Sequence, residues 1–191
     1  SWCPNLMLGT VGVMLLLSIA NLRVVLAEGP IDYAFGGWAA PIGITWLNDS
    51  IAAIVILTIN VVSLISLIYG RVVVSTELEK SVPYYTLILI MVSGLVGIVF
   101  AADLFNLFVF LEVAALAGYA LVGAAGGKGL VYAFRYLLLG SFGASLYLLG
   151  LGHLYVATGT LNMADLAIRL PELMTSTAVV SGLIYIFLGL S

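Results

Sequence analysis

Apolar residues run along this chain in blocks, and the polar breaks between the blocks set the number of elements. Leu6–Ala27 and Trp46–Gly70 are each apolar over a length that suits a membrane-spanning helix, which needs about 20 residues to cross a hydrocarbon core of ~30 Å. Pro83–Gly123 would be ~60 Å long as a single helix at ~1.5 Å per residue, twice that thickness. It therefore reads as two spans with a break near Ala101-Ala102-Asp103. A fifth span covers Leu130–Thr158, and a sixth starts near Ser176. The expected fold is an all-α integral membrane domain of about six transmembrane helices, occupying residues 1–191 as one unit.

The connections carry the opposite signal. Residues 28–45 are rich in Gly and Pro, with turns expected at Gly36-Gly37-Trp38 and Pro41-Ile42-Gly43. Trp38 and Trp46 suit a membrane–water interface, where an amphipathic ring is favoured. Ser75–Lys80 is polar, and Pro83 fits the first turn of the helix that follows. Gly126-Gly127-Lys128-Gly129 is a short turn, and Leu161–Thr175, carrying Asp165, Arg169 and Glu172, is expected to lie along the surface.

Composition turns this pattern into a class. Of 191 residues 63% are hydrophobic and 8% charged, against roughly 25% charged in soluble domains. Such a chain cannot clothe itself for water, so lipid is its solvent. A formal net charge of −3 with scattered charges points to no nucleic-acid partner. One Cys and one His exclude a disulfide framework within the chain and a metal site. There is no phosphate loop, dinucleotide fingerprint or zinc-protease motif, so neither a catalytic site nor a bound cofactor is expected. Basic residues set the orientation. A cytoplasmic N-terminus puts Arg71, Lys80 and Lys128 on the cytoplasmic side with Arg135 close behind, and Arg23 and Arg169 opposite. The chain opens on Ser-Trp-Cys-Pro-Asn and closes inside the apolar run Ala178–Ser191. Both ends read as cuts through a longer polypeptide, the alternative being a small subunit with a short last helix.

Candidate chemistry lies in the few ionisable groups placed where a bilayer disfavours them, at about 2.5–3.5 kcal/mol for a charge at mid-span. Glu112 stands near the middle of the fourth span, followed by the small residues Ala114, Ala115, Ala117 and Gly118, which allow a close helix neighbour. Desolvation favours its neutral form and a nearby cation its carboxylate. A group balanced between the two can load and release a proton. The alternative is a permanently neutral acid that only hydrogen-bonds two helices. Arg135, about six residues into the fifth span, either pairs with Glu112 or snorkels to the headgroups. His153, five helical turns beyond Arg135 and on the same face, either carries protons or makes an interfacial hydrogen bond. Asp49 and Asp103 suit helix caps, and nine residues put Asp103 and Glu112 on opposite helix faces. Asn60, with Thr58 and Ser63, either lines a water path or bonds between helices. Gly140, Gly143 and Gly150, with Ser141 and Ser145, look like a close-packing face.

Three segments resemble one family. Asp103-Leu-Phe-Asn-Leu-Phe-Val-Phe-Leu-Glu112 is similar to the glutamate-bearing helix of antiporter-like membrane subunits, found in Mrp-type Na+/H+ antiporters, complex I and membrane-bound hydrogenases. Phe134-Arg135-Tyr136 through Gly140-Ser141, followed by Gly159-Thr160-Leu161-Asn162-Met163-Ala164-Asp165, is a second match. Gly36-Gly37-Trp38 with Pro41-Ile42-Gly43-Ile44 is a third. The resemblance implies the second to the seventh helix of a fourteen-helix subunit, in a prokaryotic plasma membrane among other membrane subunits. It implies that Glu112 matches a glutamate that works with a lysine on a later helix, beyond Ser191, and that Arg135 matches a position more often Lys. Residues 1–191 alone would then conduct no ions. The function implied is H+ or Na+/H+ translocation in a cation/proton antiporter. Alternatives are the ion-pumping arm of a complex I-like or hydrogenase redox enzyme, whose redox groups would sit in partners, and a non-conducting structural subunit.

Overall fold

A computed structural model describes residues 3–73 and 78–191. The expected spans are present as helices α1 (Cys3–Glu28), α2 (Ser50–Val73), α3 (Leu78–Phe100), α4 (Leu104–Ala124) and α5 (Lys128–Thr158). The 11-residue α6 (Met163–Leu173) and the 14-residue apolar α7 (Thr177–Leu190) follow. Among the described residues five helices are long and apolar enough to cross a bilayer, and α7 is a shorter apolar helix. The chain is thus an all-helical integral membrane protein. Large apolar side chains such as Leu16, Ile65 and Val156 are exposed on the outside of the bundle, as lipid solvation permits.

From α1 to α5 each helix packs on the next along the chain, and α5 packs in turn against α7, so that α4 lies between α3 and α5, and α5 between α4 and α7. On α1 the residues Val11, Ser18 and Val25, spaced by seven, are all buried. Tyr85, Ile88 and Val92 of α3 meet Leu67 of α2 and Val11 of α1 in one apolar core. Glycines set the closest approaches. A methyl group on Gly94 of α3 would lie 2.8 Å from the Ala114 nitrogen of α4. The antiparallel pair α5 and α7 meets glycine to glycine. A methyl on Gly150 would stand 2.6 Å from the Gly182 carbonyl oxygen, and one on Gly189 at the same distance from the Gly143 carbonyl oxygen. Gly140, Gly143 and Gly150 therefore form the packing face expected of them. Ser141 and Ser145 do not. Both are exposed, and Ser145 Oγ donates back to the Ser141 carbonyl of its own helix.

Two other expectations need correction. The Gly/Pro-rich connection contains a small antiparallel hairpin, β1 (Ile31–Ala34) and β2 (Thr45–Asn48), and α2 starts only at Ser50. Trp46 is thus a strand residue, stacked on Phe100 at 5.3 Å and edge-on to Phe35 at 4.8 Å, whereas Trp38 is exposed. Pro83 is the sixth residue of α3, past the first turn. Of the polar connection Ser75–Lys80, residues 75–77 lie outside the described residues.

The break between the third and fourth spans falls where expected, and other segments satisfy its backbone. The Ala102 N–H donates to the Thr45 carbonyl (3.2 Å), the Leu104 N–H to that of Leu161 (2.9 Å), and the Met163 N–H to that of Ala102 (2.9 Å). Asp103 caps α4, accepting from the Phe105 and Asn106 nitrogens, and Asp49 accepts from the Ala52 nitrogen at the start of α2. Asn162 caps α6 through Oδ1, while its Nδ2 donates to Thr45 Oγ1 at 2.9 Å. Arg169 donates to the Thr158 carbonyl at 2.7 Å.

Asn162→Ala removes that cap and the tie to Thr45, so we expect a loss of about 1–2 kcal/mol. It will appear as a lower melting temperature of the complex in detergent. Asn162→Asp, which keeps the acceptor, recovers part of the loss.

Candidate functional site

Glu112 is the ninth residue of α4 and half-buried. It lines a cavity of about 190 Å³ between α4, α5 and α7. Phe108, Glu112 and Tyr119 of α4 face Gly140 and Tyr147 of α5, and Gly189 of α7 completes the wall. Residues 108, 112, 115 and 119 repeat at helical spacing, so one side of α4 carries the acid and its neighbours. Tyr147 is buried, lies parallel to Phe108 at 5.8 Å, and donates from its hydroxyl to the Leu104 carbonyl at 3.2 Å. The packing face of α5 explains why the cavity forms here. Residue 140 has no side chain, and a methyl there would collide with the Tyr119 hydroxyl.

The structure does not bring the three candidate proton carriers together. Ala144 of α5 faces the Glu112 cavity. Arg135 lies nine residues before it and His153 nine residues after, each half a revolution away at ~100° per residue. Arg135 is exposed, and among the described residues no ion pair joins it to Glu112. His153 is half-buried beside α7, with Nδ1 donating to the Leu149 carbonyl at 2.9 Å and the ring 5.4 Å from that of Tyr185. Asp103, at the α4 cap, is apart from Glu112, as the nine-residue spacing requires.

Polar groups of a second kind lie elsewhere in the bundle. Asn60 is 2% exposed and borders a cavity of about 190 Å³ shared with Ser18 and Asn21. Its Oδ1 has no hydrogen-bond partner, and neither have Asn106 Nδ2 and Trp46 Nε1. Thr58 and Ser63 bond back to carbonyls of their own helix, Ile54 and Ile59. Among the described residues no cluster of His, Cys, Asp and Glu has the makings of a metal site.

Sequence reasoning singled out Glu112 but passed over Tyr119 and Tyr147. The available signal was spacing. Tyr119 follows Glu112 by seven residues, two helical turns, and therefore shares its face.

Residues 101–191 match the model of the family described as "NADH:quinone oxidoreductase/Mrp antiporter, TM". The chain is 41% identical over 178 residues to NADH-quinone oxidoreductase subunit N of Desulforudis audaxviator, covering 90% of this chain and 36% of that protein. It is 35% identical to a Na+/H+ antiporter subunit of Alkalihalophilus pseudofirmus, covering 92% and 35%. It thus spans about a third of the length of these relatives. Among solved structures, a chain of the membrane-bound sulfane sulfur reductase, an archaeal respiratory membrane complex, superposes with a TM-score of 0.92 at 34% identity. That match covers 100% of this chain and 39% of that one. A chain of the Mrp complex from Dietzia sp. DQ12-45-1b shares the fold, with a TM-score of 0.80 at 22% identity and coverage of 98% and 35%.

Because Arg135 and Glu112 sit on different sides of α5, their removal should be energetically independent. In a double-mutant cycle of Glu112→Gln and Arg135→Gln, followed by thermal unfolding, the coupling is expected to stay within about 0.5 kcal/mol.

Proposed function

This chain belongs to the antiporter-like membrane subunit family, whose members include NADH-quinone oxidoreductase subunit N and a membrane subunit of Na+/H+ antiporters, and from that premise we propose that it translocates ions by loading protons on Glu112. One observation carries the reading. An acid at mid-span lines a partly open cavity between three helices, α4, α5 and α7. A carboxyl group so placed can take up a proton and pass it on as its surroundings change. Residues 1–191 act here as one membrane domain among other membrane subunits, with the N-terminal end of α1 on the cytoplasmic side, where Arg71, Lys80 and Lys128 then also fall. Arg135 and His153 do not line this cavity.

The leading host is a multisubunit cation/proton antiporter. A second reading, the ion-pumping arm of a redox enzyme, is favoured by the 41% identity to NADH-quinone oxidoreductase subunit N and by the 0.92 superposition on the sulfane sulfur reductase chain. Any electron transfer would then occur in partners, because this chain carries no pattern of iron–sulfur or haem ligands.

Glu112→Gln keeps the side chain's shape and removes its proton chemistry. In membrane vesicles holding the assembled complex, proton movement is expected to fall by about tenfold or more, the scale on which a single general acid–base group acts. Undiminished transport would refute the role and leave a structural subunit as the reading. Mass spectrometry of the gently purified complex separates the two hosts. Small membrane subunits alone are expected for the antiporter, while flavin or iron–sulfur partners would make the chain part of a redox enzyme.

A further inference from the structure

Tyr119 borders two cavities at once. On one side lies the Glu112 cavity, and on the other a larger and more open one of about 540 Å³ between α4 and α5, lined by Ala120, Gly123, Ala124 and the exposed Leu130 and Phe134. The larger cavity reaches the turn at Ala125–Gly127, the end of the bundle that carries Lys128. Its room comes from small residues, Ala120, Gly123 and Ala124 on α4 opposite Ala133 on α5. Glu112 lies two helical turns deeper, ~10.5 Å along α4 from Tyr119.

The ring of Tyr119 is held from two sides. It lies parallel to that of Tyr136, with centroids 6.4 Å apart and planes inclined by 5°. Its hydroxyl fits against Gly140, at the spot a side chain of residue 140 would occupy. Tyr119 is thus the one residue common to the linings of both spaces, between the mid-span acid and the space that leads toward the Lys128 end.

We propose that Tyr119 is the partition that closes the Glu112 cavity toward the Lys128 end of the bundle, so that the position of its ring decides when Glu112 exchanges protons with that side. The exchange part rests on the proton-loading role of Glu112; the closure itself does not.

Ala115 also lines the Glu112 cavity, so the thiol of Ala115→Cys reports access to it. The assembled complex, carrying Cys3→Ser, is exposed in sided membrane vesicles to Ag+, a small cation that traps thiols only where water reaches them. The Lys128 side is identified by labelling Lys128→Cys with an impermeant maleimide. With Tyr119 present, silver entering from that side is expected to react slowly. Tyr119→Phe, which keeps the ring, stays within about twofold, whereas Tyr119→Ala reacts about tenfold faster or more, since thiolate chemistry follows access. Gly140→Ala displaces the ring without deleting it and gives a rise of about threefold or more, by the same access argument, even where Tyr119→Ala does not assemble. A fast reaction already with Tyr119 in place, or no acceleration in either Tyr119→Ala or Gly140→Ala, overturns the partition. Silver reads access and not transport, so an unaltered flux in Glu112→Gln would remove the proton-loading role and leave this result standing, and the reverse holds equally.

Discussion

A chain that leaves helical geometry at the edge of a bilayer must hand every freed N–H and C=O to another group, because each one left unpaired in hydrocarbon costs several kcal/mol. The break at Ala101–Asp103 meets that demand with backbone from two distant segments, Thr45 of the hairpin and Leu161–Met163 after α5. Asp103 and Asn162 then absorb the first N–H groups of α4 and α6. The hairpin, the α3–α4 corner and the α5–α6 loop are thereby joined at one end of the bundle. This knot fixes where α4 begins and how it is rotated, and so which way Glu112 faces. Two of the three segments on which the family resemblance was read contribute directly to it. The third, Gly36–Ile44, is the turn of the hairpin that delivers Thr45, with the Phe35 nitrogen bonded to the Ile44 carbonyl.

Glycine placement does the rest. Gly140, Gly143 and Gly150 let α5 lie close to both α4 and α7, and a bulkier residue at 150 would drive into the Gly182 carbonyl. With so little side-chain bulk on this face, space remains beside the acid at mid-span. Arg135 lies half a revolution round α5 from Ala144, so it points away from Glu112, although depth along the membrane normal would have let the two pair.

Much of this was legible in the sequence, and each failure has its own physical cause. Span count and the corner at Ala101–Asp103 follow from bilayer thickness, a constraint applied to every helix alike. Capping by Asp49 and Asp103 follows from the chemistry of short acidic side chains at helix starts. The hairpin was hidden because four-residue strands around a Gly/Pro-rich turn give too little alternation to see. Ser141 and Ser145 misled because a hydroxyl that bonds to its own helix leaves no mark of which way it faces. Arg135 and Tyr119 needed rotational phase between helices, which depth does not supply.

The division of α4 into two faces bears on how such a site can work. Asn106, Phe110, Ala114 and Ala117 repeat along one side, where Phe110 and Ala114 press against Gly97 and Gly94 of α3. Phe108, Glu112, Ala115 and Tyr119 repeat along the other, toward α5 and α7. The α3 side has no slack, since a methyl on either glycine would strike α4. Interiors packed so closely shift between discrete arrangements instead of deforming smoothly. The room for rearrangement beside Glu112 therefore lies on the α5–α7 side, where its cavity is.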